Sequence, residues 1–114
     1  MFPSDKDLKI LLDTLKSFGS KFTFRKIKDN KKLIYEANIS LFDCFLGTIN
    51  GKDNFAYDRF YSAHAIMLSF EGLPAFYIHS LFGTKNNYKL FNKTKINRSI
   101  NRSTYRPIYF SFIK

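Results

Sequence analysis

The stretch Phe70-Glu71-Gly72-Leu73-Pro74-Ala75-Phe76-Tyr77-Ile78 decides the fold. Gly72 and Pro74 forbid continuation of any helix that precedes them. The nearly continuous apolar run from Leu73 to Ile78 predicts a strand over 74–78 that is covered on both faces, as in a parallel sheet, rather than a half-exposed edge. Helices flanking such a strand make an α/β arrangement. One strand of this kind cannot complete itself. Upstream, Asp53 or Asn54 can cap a helix in which Phe60, Ala63, His64, Met67 and Leu68 set an apolar stripe. Downstream, His79 to Arg106 is polar, with Gly83, Asn86, Asn87 and Asn92 as loop formers. A loop that long is expected to bind something.

Further outward, Ser4 followed by Asp7 reads as an N-cap with an acidic first turn. Leu8, Leu11, Leu12, Leu15 and Phe18 then recur at helical spacing until Gly19, which predicts a helix over 5–18. Phe22, Phe24 and Ile27 alternate with polar residues, and the turn-like Asp29-Asn30 separates them from Leu33-Ile34-Tyr35, so a β-hairpin follows. Ser40 caps a short helix carrying Leu41, Phe42, Phe45 and Leu46, closed by Gly47, and Asn50-Gly51 marks a turn. No repeat, low-complexity tract or linker interrupts residues 1–114, which read as a single unit.

With 114 residues, 45% hydrophobic and 25% charged, the chain is bounded to one globular unit, and a disordered tail or collagen-like fibre is excluded. A complete (β/α)8 barrel needs about 200 residues or more, so any likeness to one is to a piece. No apolar run approaches the ~20 residues of a membrane span, and Met1 to Asp7 lacks a signal peptide's basic start and apolar centre. The expectation is a cytoplasmic chain with no membrane contact. The single cysteine, Cys44, cannot form an internal disulfide.

Nineteen Lys and Arg against nine Asp and Glu give a net charge of +10, and Glu71 is the last acid. Beyond it the cations Lys85, Lys89, Lys93, Lys95, Arg98, Arg102, Arg106 and Lys114 alternate with rings such as Tyr88, Phe91 and Tyr105. A small nucleic-acid-binding module is therefore the alternative reading, with phosphates on the cations and bases stacked on the rings. Against it, no known recognition motif accompanies the charge. Lys, Asn, Ile, Phe and Tyr, all with A/T-rich codons, fill 55 of the 114 positions, so genome composition can supply many of the lysines.

The chemistry-bearing residues are few. His64, His79 and Cys44 match no metal-ligand spacing, and no glycine-rich phosphate loop precedes a helix, so no metal or organic cofactor is implied. A Cys44–His79 nucleophile pair competes with the simpler reading of a buried thiol and a histidine capping a strand. Retaining glycosyl transfer needs two carboxylates about 5 Å apart. Asp53 and Asp58 are accounted for by cap and helix-dipole roles, and Glu36 and Asp43 fall in the irregular region without a paired partner. No catalytic residue is assigned.

The run from Phe70 to Thr84 resembles the seventh-helix to eighth-strand junction of the α-amylase superfamily. Lys85-Asn86-Asn87, followed by Asn97-Arg98-Ser99-Ile100-Asn101-Arg102, is similar to the sucrose phosphorylase branch, which includes glucosylglycerate phosphorylase-type enzymes. Tyr35-Glu36-Ala37-Asn38 resembles that branch's acceptor-side loop. The likeness covers roughly residues 3–106. It implies a fragment of a partial (β/α)8 (TIM) barrel: 3–52 an excursion after strand seven, 54–70 helix seven, 74–78 strand eight and 79–106 its loop. It also implies the chemistry of a retaining phosphorylase, whose partners are an α-glucoside and inorganic phosphate. Arg98 matches an arginine that grips glucosyl hydroxyls. Tyr35 and Glu36 match the loop that exchanges acceptor for phosphate, with Glu36 in a hydrogen-bonding role. The family's nucleophilic aspartate, acid/base glutamate and transition-state-stabilising aspartate lie upstream of anything in this chain. The resemblance thus implies a fragment inactive alone, or one that docks on a separately encoded N-terminal barrel fragment. Lys95 stands where relatives often have Gly, and Tyr105 to Lys114 does not align.

Overall fold

The computed structural model describes residues 4–26 and 32–103. The elements are α1 (Asp5–Ser17), β1 (Lys21–Lys26), β2 (Lys32–Asn38), α2 (Leu41–Cys44), β3 (Gly47–Thr48), β4 (Gly51–Lys52), α3 (Ala56–Ser69), α4 (Ile78–Leu81), α5 (Tyr88–Thr94) and a 3-10 turn (Asn97–Asn101). Helices are thus mixed with two small antiparallel sheets, β1–β2 and β3–β4.

The predicted first helix is present, and its ends are built as the sequence suggests. Ser4 Oγ accepts from the Asp7 N–H at 3.2 Å while the Asp7 carboxylate accepts from the Ser4 N–H at 3.2 Å, a reciprocal capping box. At the other end Gly19 takes φ +100°, the Gly19 N–H donates to Lys16 O and the Ser20 N–H to Leu15 O, a Schellman closure. None of the residues of α1 is buried: Leu8 and Leu11 are exposed and Leu12 and Leu15 half-buried.

The hairpin is also present, and its predicted Asp29-Asn30 turn lies outside the described residues. Thr23 pairs with Glu36 and Phe24 with Ile34, which leaves Tyr35 as the extra residue of a β-bulge. Asn38 ends β2 fully buried, donating from Nδ2 to Lys21 O at 3.2 Å and to Thr23 Oγ1 at 3.0 Å.

Ser40 caps α2, with its Oγ accepting from the Asp43 N–H at 3.1 Å. The buried Asp43 carboxylate accepts from Ser40 Oγ at 3.0 Å and from the Asn86 N–H, and Asn86 Oδ1 accepts from the Ser40 N–H at 2.8 Å. This polar knot joins two segments more than forty residues apart. Beside it Phe42, Ala56 and Phe60 form the buried apolar cluster, joined by Leu41, Phe45 and Leu46. The Phe42 and Phe60 rings meet edge to face at 5.5 Å. Gly83 passes over both rings: a Cβ there would lie 3.4 Å from each.

Several expectations are corrected. The long helix starts at Ala56 rather than 54, and neither Asp53 nor Asn54 supplies a side-chain cap to it. Asp53 is instead gripped by Arg59, which donates from Nη1 to Oδ1 at 2.7 Å and from Nη2 to Oδ2 at 2.5 Å, while the Phe55 N–H donates to Oδ1 at 2.9 Å. The Arg59 bonds first, and the Phe55 N–H second, hold the Asp53 carboxyl at about 2, below its ordinary 3.8. Because the folded value is depressed, its contribution to stability is present above the unfolded value and lost as pH falls through about 2. Urea midpoints measured across that interval should therefore fall less steeply for Asp53→Asn than for the parent. Parallel curves would contradict the assignment.

The predicted buried strand over 74–78 is not formed. Residues 73–77 carry no ladder, Leu73 is 100% exposed, and Ile78 opens α4. The physical reason is the one that makes the run look like a parallel strand: its hydrogen bonds need neighbouring strands, and no described strand pairs with it. The tether of this segment is Phe76, which stacks on His64 with ring centroids 5.5 Å apart and planes 13° apart. The polar stretch from His79 is likewise not one long loop. It holds α4, α5 and the 3-10 turn, because several of the asparagines that read as loop formers are caps and ties. Asn87 Oδ1 accepts from the Leu90 N–H at 2.9 Å to start α5. A partial (β/α)8 barrel is therefore not visible among the described residues, whereas the mixture of helices and small sheets is compatible with an α/β class.

Candidate functional site

An open pocket of about 590 Å³ lies between the hairpin and the 3-10 turn, lined by Glu36, Tyr77, Arg98, Asn101, Arg102 and Ser103. Its floor is held from the backbone side. Ile100, fully buried, accepts at its carbonyl from the Asn87 N–H at 2.6 Å, and Asn97 Nδ2 donates to Phe22 O at 2.9 Å. Asn87 Nδ2 reaches both Arg102 O and Ser103 Oγ at 3.2 Å. Ser99 Oγ accepts from Thr94 Oγ1 at 2.8 Å. The preceding helix, α5, ends at Lys95, which takes the left-handed φ of +58°, and the Lys95 N–H donates to Phe91 O. A non-glycine residue there costs about 1 kcal/mol, which gives a physical sense to the resemblance's glycine at this position.

Of the three predicted substrate-binding residues, the structure brings two together. Arg98 donates from Nε to Glu36 Oε2 at 3.0 Å, across 62 residues of chain. The pair is partly open to solvent, so its own contribution to stability is small. Its value is geometric: the guanidinium donors that engage no other described residue can face a ligand. Tyr35, on the bulge, instead lines a separate cavity of about 380 Å³ with Arg25, Lys26, Leu33 and Ile34. Glu36 is, among the described residues, the one carboxylate lining the Arg98 pocket.

Sequence reasoning does not place Tyr77, Asn101, Arg102 or Ser103 in a sugar site. Tyr77 falls in the predicted strand, and Arg102, although it ends the run that carries the resemblance, is given a role only as a phosphate contact for nucleic acid. The signal that could have found Arg102 is its place in the same short motif as Arg98.

The remaining nucleophile candidates are quiet. Burial first, and the Asp43 charge second, push the Cys44 thiol up to about 11, the opposite of what a nucleophilic thiol needs. His79 lies within α4 rather than capping a strand, with Nδ1 3.4 Å from Thr84 Oγ1. Among the described residues no three His, Cys, Asp or Glu side chains converge on a metal position, and no helix is long and apolar enough to cross a membrane. The basic stretch is partly absorbed within the fold: Lys85 lies over the Phe42 ring and Arg98 is on Glu36.

Comparison with curated proteins finds three similar sequences. The chain is 35% identical over 101 residues to the glucosylglycerate phosphorylase of Escherichia coli (strain K12), a match covering 89% of this chain and 18% of that protein. It is 35% identical over 72 residues to the glucosylglycerate phosphorylase of Allomeiothermus silvanus, covering 62% of this chain and 13% of that protein. It is 29% identical over 98 residues to that of Spirochaeta thermophila, covering 86% and 16%. The chain thus spans less than a fifth of the length of these relatives. All three carry an enzyme's name, and none that of a nucleic-acid-binding protein. No protein-family model matches the chain, and no solved structure does.

Proposed function

We propose that the chain, which matches one segment of glucosylglycerate phosphorylases, belongs to that family as the last part of a retaining glucoside phosphorylase barrel of the α-amylase superfamily. In the intact enzyme an aspartate supplied by the rest of the barrel would displace the aglycone of an α-glucoside. Inorganic phosphate would then release glucose 1-phosphate from that covalent intermediate, which is net retention by double displacement. The Glu36–Arg98 pocket is this chain's share of the sugar site: Arg98 grips glucosyl hydroxyls and Glu36 orients it, with Tyr35 serving the acceptor side. The reading places the enzyme in the cytoplasm. The chain meets the upstream carboxylate-bearing strands either in one polypeptide or as a separately encoded N-terminal fragment.

The observation that carries the reading is the 3.0 Å contact between Glu36 and Arg98. Two motifs, each related on its own to substrate contacts, are brought to one pocket across most of the described chain. The uncovered apolar residues Phe70 and Leu73 fit it as well, since a segment of a barrel lacks the neighbours that would bury them.

The test is a chimera in which residues 3–103 replace the matching segment of the Escherichia coli relative, assayed for glucose 1-phosphate release from glucosylglycerate and phosphate. Activity within about tenfold of the parent, and its loss on Arg98→Ala, is the expected result. An inactive but folded chimera, or turnover by the 114-residue chain alone, overturns the reading.

A further inference from the structure

We propose that Asn50 is a site of spontaneous covalent modification: the Asn50-Gly51 turn closes to a succinimide and hydrolyses to aspartate and isoaspartate, and the product loosens the seam between α1 and the β3–β4 hairpin. The proposal stands apart from the sugar-site reading and uses none of its residues.

The turn is laid out for the reaction. Of the nine asparagines in the chain, Asn50 is the one followed by glycine. It is exposed, and its side-chain amide bonds no described residue, whereas those of Asn38, Asn86, Asn87 and Asn97 are each held by hydrogen bonds. What is fixed at Asn50 is the backbone, where its N–H donates to Thr48 Oγ1 at 3.2 Å. Gly51 takes φ +109°, and a Cβ there would meet nothing within 4 Å, so no side chain crowds the approach of the Asn50 carboxamide to the Gly51 backbone. The ladder around it is two pairs long, Thr48 with Gly51 and Gly47 with Lys52. So short a ladder opens locally without unfolding the rest.

The atoms balance without an oxidant or a cofactor. Loss of the Gly51 N–H proton to solvent base frees that nitrogen to attack Asn50 Cγ. The new N–Cγ bond closes a five-membered ring as the Cγ–Nδ2 bond breaks, and Nδ2 leaves as ammonia with a proton from solvent. Water then adds to one of the two ring carbonyls. Opening at Cγ gives aspartate; opening at the Asn50 main-chain carbonyl gives isoaspartate, whose backbone is longer by one carbon. Either product carries one new negative charge.

That charge lands on a seam. Asp13 and Thr14 of α1 face Thr48, Ile49 and Gly51 across a cavity of about 340 Å³. A carboxylate at position 50, between two of these lining residues, adds to the negative charge of Asp13, and isoaspartate also displaces Gly51 from its pairing with Thr48. No residue of α1 is buried, so little packing opposes the loosening.

The test incubates the full chain in mildly alkaline buffer, both folded and in urea, and follows the tryptic peptide 33–52 by mass spectrometry. Electron-transfer fragmentation tells isoaspartate from aspartate. Expected is a gain of about 1 Da at Asn50, at least about tenfold faster than at Asn38 in the same peptide, with both products formed and a folded rate within about thirtyfold of the unfolded one. Asn50→Gln should remove the gain at position 50. Hydrogen exchange at the Thr14 and Ser17 amides should quicken about threefold in the converted chain, less in Asn50→Asp, which carries the charge alone, and not in Asn50→Gln. The α3 amides should keep the parent's rates in all three, which marks the effect as local. A rate ratio to Asn38 below that range, a folded rate slower than that window, or unchanged exchange in α1 of the converted chain overturns the proposal. So does quickening spread equally over α1 and α3 in both the converted chain and Asn50→Asp.

Discussion

Phe60→Ala is expected to remove about 3–4 kcal/mol, a large share of the stability of a chain this small. Phe60 is 8% exposed at the centre of the buried cluster, edge to face with Phe42 and with Tyr61 at a centroid distance of 6.1 Å, and tilted on His64 at 4.3 Å. Truncation to alanine empties the space between α2 and α3 and strips the surface over which Gly83 passes. The neighbours that would have to collapse into the gap are themselves large rings, so little relaxation is available. Far-UV circular dichroism during urea unfolding measures the loss. A Phe60→Leu variant should recover roughly half of it, because a branched aliphatic refills part of the volume. A midpoint for Phe60→Ala within about 0.5 kcal/mol of the parent would mean that the cluster is not what holds the fold.

The second large effect is expected at Asp43. Its carboxylate is almost wholly buried and accepts from Ser40 Oγ and the Asn86 N–H. Asp43→Ala leaves the Asn86 N–H without its acceptor and loosens the cap of α2, at a cost of about 2–4 kcal/mol. Asp43→Asn keeps one amide oxygen in place and should lose about half as much, whereas Asp43→Leu should be no better than alanine. Hydrogen exchange at the Asn86 amide gives the local reading: it should quicken in the alanine variant before the hairpin amides do. Similar rates at Asn86 in the parent and in Asp43→Ala would show that the knot is not the anchor of residues 83–88.

Local chemistry is readable in the sequence wherever it is short-ranged. Ser4 with Asp7, Phe18 with Gly19, Ser40 ahead of Leu41, and the alternation around Phe22 and Leu33 each specify a cap, a closure or a hairpin through bonds spanning only a few residues. The run Leu73 to Ile78 misleads because strand pairing is not local: the same residues that would suit a buried parallel strand have no described ladder to join. The asparagines mislead in another way. Asn86 and Asn87 look like loop formers by type and Asn97 carries no structural expectation, yet in the fold their side chains bond to distant backbone groups. Those partners lie 46, 15 and 75 residues away, beyond what pattern reading reaches. In the site, Arg98 and Glu36 can be named from the resemblance, but neither motif alone states their meeting at one pocket. Arg102 and Ser103 become visible only once the 3-10 turn puts them on the same rim.

The extra residue in β2 has a consequence for how this surface can change. In an uninterrupted ladder, consecutive side chains are locked to a strict back-and-forth order, and altering one position's neighbourhood constrains the next. The extra residue at Tyr35 shifts that order by one, and the covalently adjacent Tyr35 and Glu36 line separate hollows, Tyr35 with Arg25 and Ile34, Glu36 with Arg98. A substitution at one can therefore retune its own cavity while the other keeps its company, so the hairpin carries two independently adjustable settings on a single bond.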